Sequence, residues 1–230
     1  MATRIRIRWV AIGLAVACWY PQAAVAFRSD PPAGRTGSPE SGGATCRSCH
    51  GNNVGGGSVQ IAGVPDKYQA NAIYDITVRV ADSAKLGAGF QLSVEDASGL
   101  PAGTLSITDA VNTQLNTDDP AWVNHRLAGV NNSVANWAAN GNSVDYVVRW
   151  QAPSSDIGPI TFWAIGNAIN NNFNSSGDNV YLVNKSANFI QVPAVSEWGL
   201  AVLTLCVLTA GTLALRRAPA ITSLRRRVEN

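Results

Sequence analysis

From Tyr74 onward the apolar residues recur at every second position, a period that suits a strand and not a packed helix. Tyr74, Ile76, Val78 and Val80 alternate with Asp75, Thr77 and Arg79; Phe90, Leu92 and Val94 alternate with Gln91, Ser93 and Glu95. Val144, Tyr146, Val148 and Trp150 likewise alternate with Ser143, Asp145 and Arg149. Successive side chains of a strand point to opposite faces, so each segment predicts a half-buried strand with one core face. Further strands are expected at 58–61, 103–107, 121–127, 160–166 and 179–183, separated by turn clusters such as Asp96-Ala97-Ser98-Gly99 and Asn140-Gly141-Asn142. About eight short strands without a helical stretch indicate an all-β chain folded as a two-sheet β-sandwich. A body of this size holds one ordinary core without metal or disulfide help, and no internal repeat or second domain interrupts it.

Both ends of the chain have a different character. Residues 1–26 combine Arg4, Arg6 and Arg8, an apolar run of about ten residues, and Ala24-Val25-Ala26, the layout of a signal peptide cut after Ala26. Residues 27–57 are rich in Gly, Pro and Ser and show no period, so they are expected to form an extended arm or loop. The sandwich is assigned to 58–191 and the remaining 192–230 to a C-terminal tail. Within the tail, 199–215 is uncharged and largely apolar and is followed by Arg216, Arg217, Arg225, Arg226 and Arg227. This predicts a transmembrane helix anchored by cytoplasmic arginines, with the body facing outward.

The tails also hide the charge of the body. Eight of the 17 Lys and Arg residues lie in them, which leaves nine basic against 13 acidic residues between Phe27 and Val195. A mildly acidic exported body without a basic stripe makes nucleic acid a poor candidate partner, and none is expected. Cys18 falls in the signal and Cys206 in the tail helix, so the body holds only Cys46 and Cys49.

Those two cysteines belong to Cys46-Arg47-Ser48-Cys49-His50, a CxxCH motif. The spacing puts both thiols one helical turn apart, where they can add to the two vinyl groups of a haem, with His50 next in line as proximal iron ligand. Covalent attachment of this kind belongs outside the cytoplasmic membrane, where the signal peptide sends the chain. Two other readings stay open: a Cys46–Cys49 disulfide with His50 incidental, or a zinc site, for which the body offers only His125 and carboxylates beyond the motif. The sixth iron ligand follows by elimination. The only methionine is Met1, lost with the signal, and the only other histidine is His125. His125 is expected on a strand face shared with Val123 and Leu127, either as distal ligand or as a neutral core histidine. The asparagine-dense stretch between Asn131 and Asn188 reads as long tight loops, since Asp178 alone is charged in 170–179 and a calcium site gathers several carboxylates.

Several separated motifs, in order, resemble the bacterial choice-of-anchor V domain: Thr45-Cys46-Arg47-Ser48-Cys49-His50-Gly51, Gly89-Phe90-Gln91-Leu92, His125-Arg126-Leu127-Ala128-Gly129, and the run from Gly158-Pro159-Ile160 to Ala164-Ile165-Gly166-Asn167. The resemblance spans Arg35 to about Val183 and implies a fold like the reeler domain, an immunoglobulin-like β-sandwich. Val192-Pro193-Ala194-Val195-Ser196-Glu197-Trp198-Gly199, then an apolar helix and arginines, resembles the IPTL-CTERM sorting signal, which implies a sorting protease. The leading expectation is an exported monohaem c-type protein that carries one haem c and serves electron transfer or redox sensing with a redox partner protein. It would be held at the periplasmic face of the inner membrane or on the cell surface of a Gram-negative bacterium. The alternative is a non-catalytic surface module for adhesion or envelope structure. No Gly-x-Ser-x-Gly, HExxH or other local catalytic arrangement is present, so an enzyme is not expected.

Overall fold

The computed structural model describes residues 27–51, 53–190 and 197–217. The signal peptide, the 192–196 part of the sorting motif and Arg225–Arg227 lie outside the described residues.

Two β-sheets face one another. Strands β1 (Ser58–Ala62), β3 (Ile73–Ala81), β8 (Ser143–Gln151) and β5 (Thr104–Ile107) form a four-stranded sheet in the order β1-β3-β8-β5. The six-stranded sheet runs β2 (Lys67–Tyr68), β10 (Asn179–Phe189), β9 (Ile160–Ile169), β4 (Gly87–Asp96), β7 (Val123–His125), β6 (Thr113–Leu115). All pairings are antiparallel except that of β2 with β10.

The predicted core faces close on one another: Ile76, Val78 and Val80 of β3 and Tyr146, Val148 and Trp150 of β8 lie opposite Phe90, Leu92 and Val94 of β4 and Phe162 of β9, all buried. Trp150 stacks on Tyr74 and meets Phe162 and Tyr68 edge-on, while its indole N–H donates to the Ala102 carbonyl at 2.8 Å. Tyr146 stacks on Phe90 at 4.4 Å and donates its hydroxyl to the Ala88 carbonyl at 2.7 Å. Trp150 and Tyr146 therefore fill the core with their polar atoms paired.

The arm differs from its expectation. It is not loose; it covers the polar face of β4, so that strand is buried on both sides. Arg35 N–H donates to Gln91 Oε1 at 2.6 Å, and Gln91 Nε2 donates to the Pro32 carbonyl at 3.1 Å. The Thr36 and Ser93 hydroxyls lie 3.1 Å apart, Ser93 Oγ donates to Glu95 Oε1 at 3.0 Å, and Glu40 N–H donates to Glu95 Oε2 at 3.2 Å. Alternation marked Gln91, Ser93 and Glu95 as solvent-facing because they are polar; they are polar because the arm's backbone needs partners.

One of these contacts has a pH signature. Burial, then the Glu95 and Asp119 carboxylates, push Glu40 from an ordinary 4.5 up to about 7. A folded-state value raised in this way adds stability that is whole below 4.5 and is lost as pH rises through about 7. Glu40→Gln should therefore gain in urea midpoint relative to the parent between pH 5 and pH 8. An equal gap at both pH values would contradict the assignment.

Two helical segments interrupt the strands, of which only the turn at the CxxCH motif was anticipated. α1 (Arg47–His50) carries the end of CxxCH, and α2 (Leu127–Asn136) follows β7. α2 rests on the six-stranded sheet through Gly129, Val130 and Ser133, with Ser133 Oγ accepting from Ala88 N–H at 3.0 Å. The strand expected over 121–127 thus stops at His125. Leu127, placed by alternation on the His125 face, opens a helix and is exposed.

In the separate C-terminal unit, α3 (Glu197–Arg217) is 21 residues long. Its uncharged run, 199–215, reaches about 25 Å at 1.5 Å per residue, several ångströms less than a hydrocarbon core of roughly 30 Å. Among the described residues no helix is long and apolar enough to cross a membrane, so the helix is where the sequence put it while its spanning character is not shown.

Candidate functional site: a cleft between the arm and the six-stranded sheet

Cys46, Cys49, His50 and His125 all line one cleft. Its other walls include Phe27, Pro31, Pro32, Phe90, Val130, Ile169 and Phe173, with Arg28 and Arg35 as the cationic members. The cleft is partly open to solvent, and its cavity volume is about 70 Å³, well below the roughly 300–1,000 Å³ of small-molecule and cofactor pockets.

Each ligand candidate is held from a different part of the chain. The α1 turn is fixed by Thr45, whose hydroxyl accepts from Arg47 N–H at 3.2 Å, and by His50 N–H donating to the Cys46 carbonyl at 2.9 Å. Across the cleft, the His125 ring lies over Gly89, where a Cβ would come within 2.6 Å of it. Only glycine at 89 lets the imidazole lie flat on β4, which gives a physical reason for Gly89 in the motif Gly89-Phe90-Gln91-Leu92. His125 Nδ1 lies 3.0 Å from Phe90 N and 3.1 Å from Phe90 O. Burial lowers the His125 pKa, which keeps the ring neutral at neutral pH and so able to bind a metal.

The loop that rims the cleft is built from Asx turns. Asn170, Asn172 and Asn174 each accept, through Oδ1, the backbone N–H two residues on, at 3.1, 3.1 and 2.8 Å. At its tip Phe173, at φ 65°, is 72% exposed, and the Arg28 guanidinium sits 4.6 Å over its ring. Asparagine density was rightly read as loop structure here, and wrongly over 131–136, which is α2.

No family model matches the chain. No curated protein matches it either. Among solved structures, the chain is similar to the Reelin-N domain of F-spondin, at 20% identity and a TM-score of 0.43 over 64% of this chain and 96% of that one. A human F-spondin reeler domain is similar at 18% identity and a TM-score of 0.42, over 60% of this chain and 92% of that one. The macrocyclization catalyst AvmM of alchivemycin A biosynthesis follows at 13% identity and a TM-score of 0.37, over 63% and 94%. These are likenesses of fold alone, and nothing about function passes from them to this chain.

The cleft's chemistry narrows the choices left by the sequence. Cys46 and Cys49 are free thiols, so the disulfide expected in the alternative reading is not formed here. Burial, then the neighbouring Cys49, push the Cys46 thiol up to about 12. Exchange chemistry needs a thiolate, so Cys46 is poorly suited to be the attacking thiol of such chemistry. Zinc needs about four protein ligands, and among the described residues no three His, Cys, Asp or Glu side chains are grouped to hold a metal ion. A haem makes a smaller demand. The porphyrin brings its own four nitrogens, so the chain need supply only axial ligands and, in a c-type site, two thiols. Two thiols, two imidazoles, an apolar wall and two guanidiniums for anionic substituents match that group in chemistry, while a cleft of about 70 Å³ would have to open to admit the macrocycle.

His50 has a partner that sequence reasoning missed. Asp178, only 1% exposed, places Oδ2 2.8 Å from His50 Nδ1. It stands 128 positions away in a loop whose only local signal was asparagine, and it was weighed only as a calcium ligand.

Proposed function

We propose that the protein is an exported c-type monohaem protein, with Cys46 and Cys49 as attachment residues, His50 as proximal ligand and His125 as distal ligand. The observation that carries this reading is the convergence of those four side chains on one largely apolar cleft. When bound, haem supplies one-electron chemistry. The chain's own residues provide its attachment, its axial nitrogens and a wall that limits water, which suits electron transfer or redox sensing with a partner protein.

His125→Ala tests the distal assignment. The parent ferric protein is expected to be six-coordinate and low-spin, and the variant high-spin with its covalent haem retained. An unchanged low-spin spectrum would overturn His125 as ligand.

The resemblances to choice-of-anchor V domains and to the IPTL-CTERM signal support a chain held at the envelope of a Gram-negative cell through α3 and its arginines, subject to a sorting protease. Ending the chain at Val192 should then release a soluble exported body; membrane retention of the truncated protein would contradict α3 as the anchor.

A further inference from the structure

We infer that Asp178 is a positioning residue: it fixes the Nδ1–H tautomer of His50 so that Nε2 is presented as a basic iron ligand. This rests on the haem reading for its consequence, but its geometry stands without it. A carboxylate oxygen only accepts, so at 2.8 Å it takes the proton-bearing nitrogen of a neutral imidazole, and the lone pair is left on Nε2. The side chains of His50 and Asp178 are 13% and 2% exposed, so little water competes for the contact.

Asp178 is itself held. Its Oδ1 accepts Asn170 N–H at 3.0 Å, and Asn167 Nδ2 lies 3.5 Å from Oδ2. The same amide nitrogen lies 3.1 Å from His50 Nδ1 and 3.4 Å from Nε2. Lying nearer Nδ1 and close to both ring nitrogens, that amide does not fix the tautomer, which is assigned from the shorter Asp178 contact at 2.8 Å. α1 is four residues long and buries none of them, so the turn alone does not orient the ring. The carboxylate does so, and a carboxylate on the far nitrogen also raises ligand basicity.

The test uses the exported protein matured with haem, its Asp178→Asn and Asp178→Glu forms, and the haem-free chain. Potentiometric titration of Asp178→Asn should shift the ferric/ferrous ratio at fixed potential at least tenfold toward ferrous, about 59 mV for one electron, with partial return in Asp178→Glu. In the haem-free chain, nitrogen NMR should find His50 protonated on Nδ1, and mixed tautomers in Asp178→Asn. A potential shifted by less than threefold, or an Nε2–H tautomer in the unsubstituted chain, would overturn the inference. Absence of haem from the parent would instead overturn the functional reading and leave the tautomer measurement to judge Asp178.

Discussion

Replacing both thiols, Cys46→Ser with Cys49→Ser, will abolish haem staining on a denaturing gel while the β-sandwich stays folded. The loss is complete because a serine oxygen forms no thioether, and the fold survives because neither cysteine belongs to the hydrophobic core between the two sheets. Far-UV circular dichroism and a urea titration read the second half of the expectation. Covalent haem that persists in the double variant would refute the attachment site, and loss of the β signal would make α1 part of the folding core.

The second large effect concerns the arm. Gln91 is fully buried and makes both of its arm contacts to backbone, accepting from Arg35 and donating to Pro32. Gln91→Ala leaves one N–H and one carbonyl without a partner, at about 1–3 kcal/mol each, so a loss of roughly 2–6 kcal/mol is expected in urea unfolding. Because both orphaned groups lie in the arm, trypsin should cut after Arg35 in the variant under conditions that spare the parent. Unchanged stability together with a protected Arg35 would show that the arm docks by other contacts.

These two variants separate what was legible in the sequence from what was not. The strands of the core were legible because each keeps an uninterrupted apolar face: β3, β4 and β8 lie where their period of two placed them. β4 was read as half-buried because polarity stood in for exposure at Gln91, Ser93 and Glu95, and nothing local reveals that an arm will cover them. α2 was missed because its buried face is Gly129, Val130 and Ser133, small residues that carry almost no apolar signal. The candidate site divides in the same manner. Cys46, Cys49 and His50 are contiguous, so the proposed attachment chemistry could be read from spacing, and His125 was proposed as distal ligand by elimination. Asp178 and Gly89 act across the fold, one through a hydrogen bond and one through the lack of a Cβ, and neither leaves a trace in its own neighbourhood.

The central claim is that one cleft holds one covalent haem. It is tested most directly by a pyridine haemochrome assay on full-length protein exported from a host with the cytochrome c assembly machinery. The account predicts one haem per chain that stays with the polypeptide after acid–acetone extraction and denaturation. Protein from the same host that carries no haem, with Cys46 and Cys49 joined as a disulfide, would contradict it and leave a non-catalytic surface β-sandwich in its place.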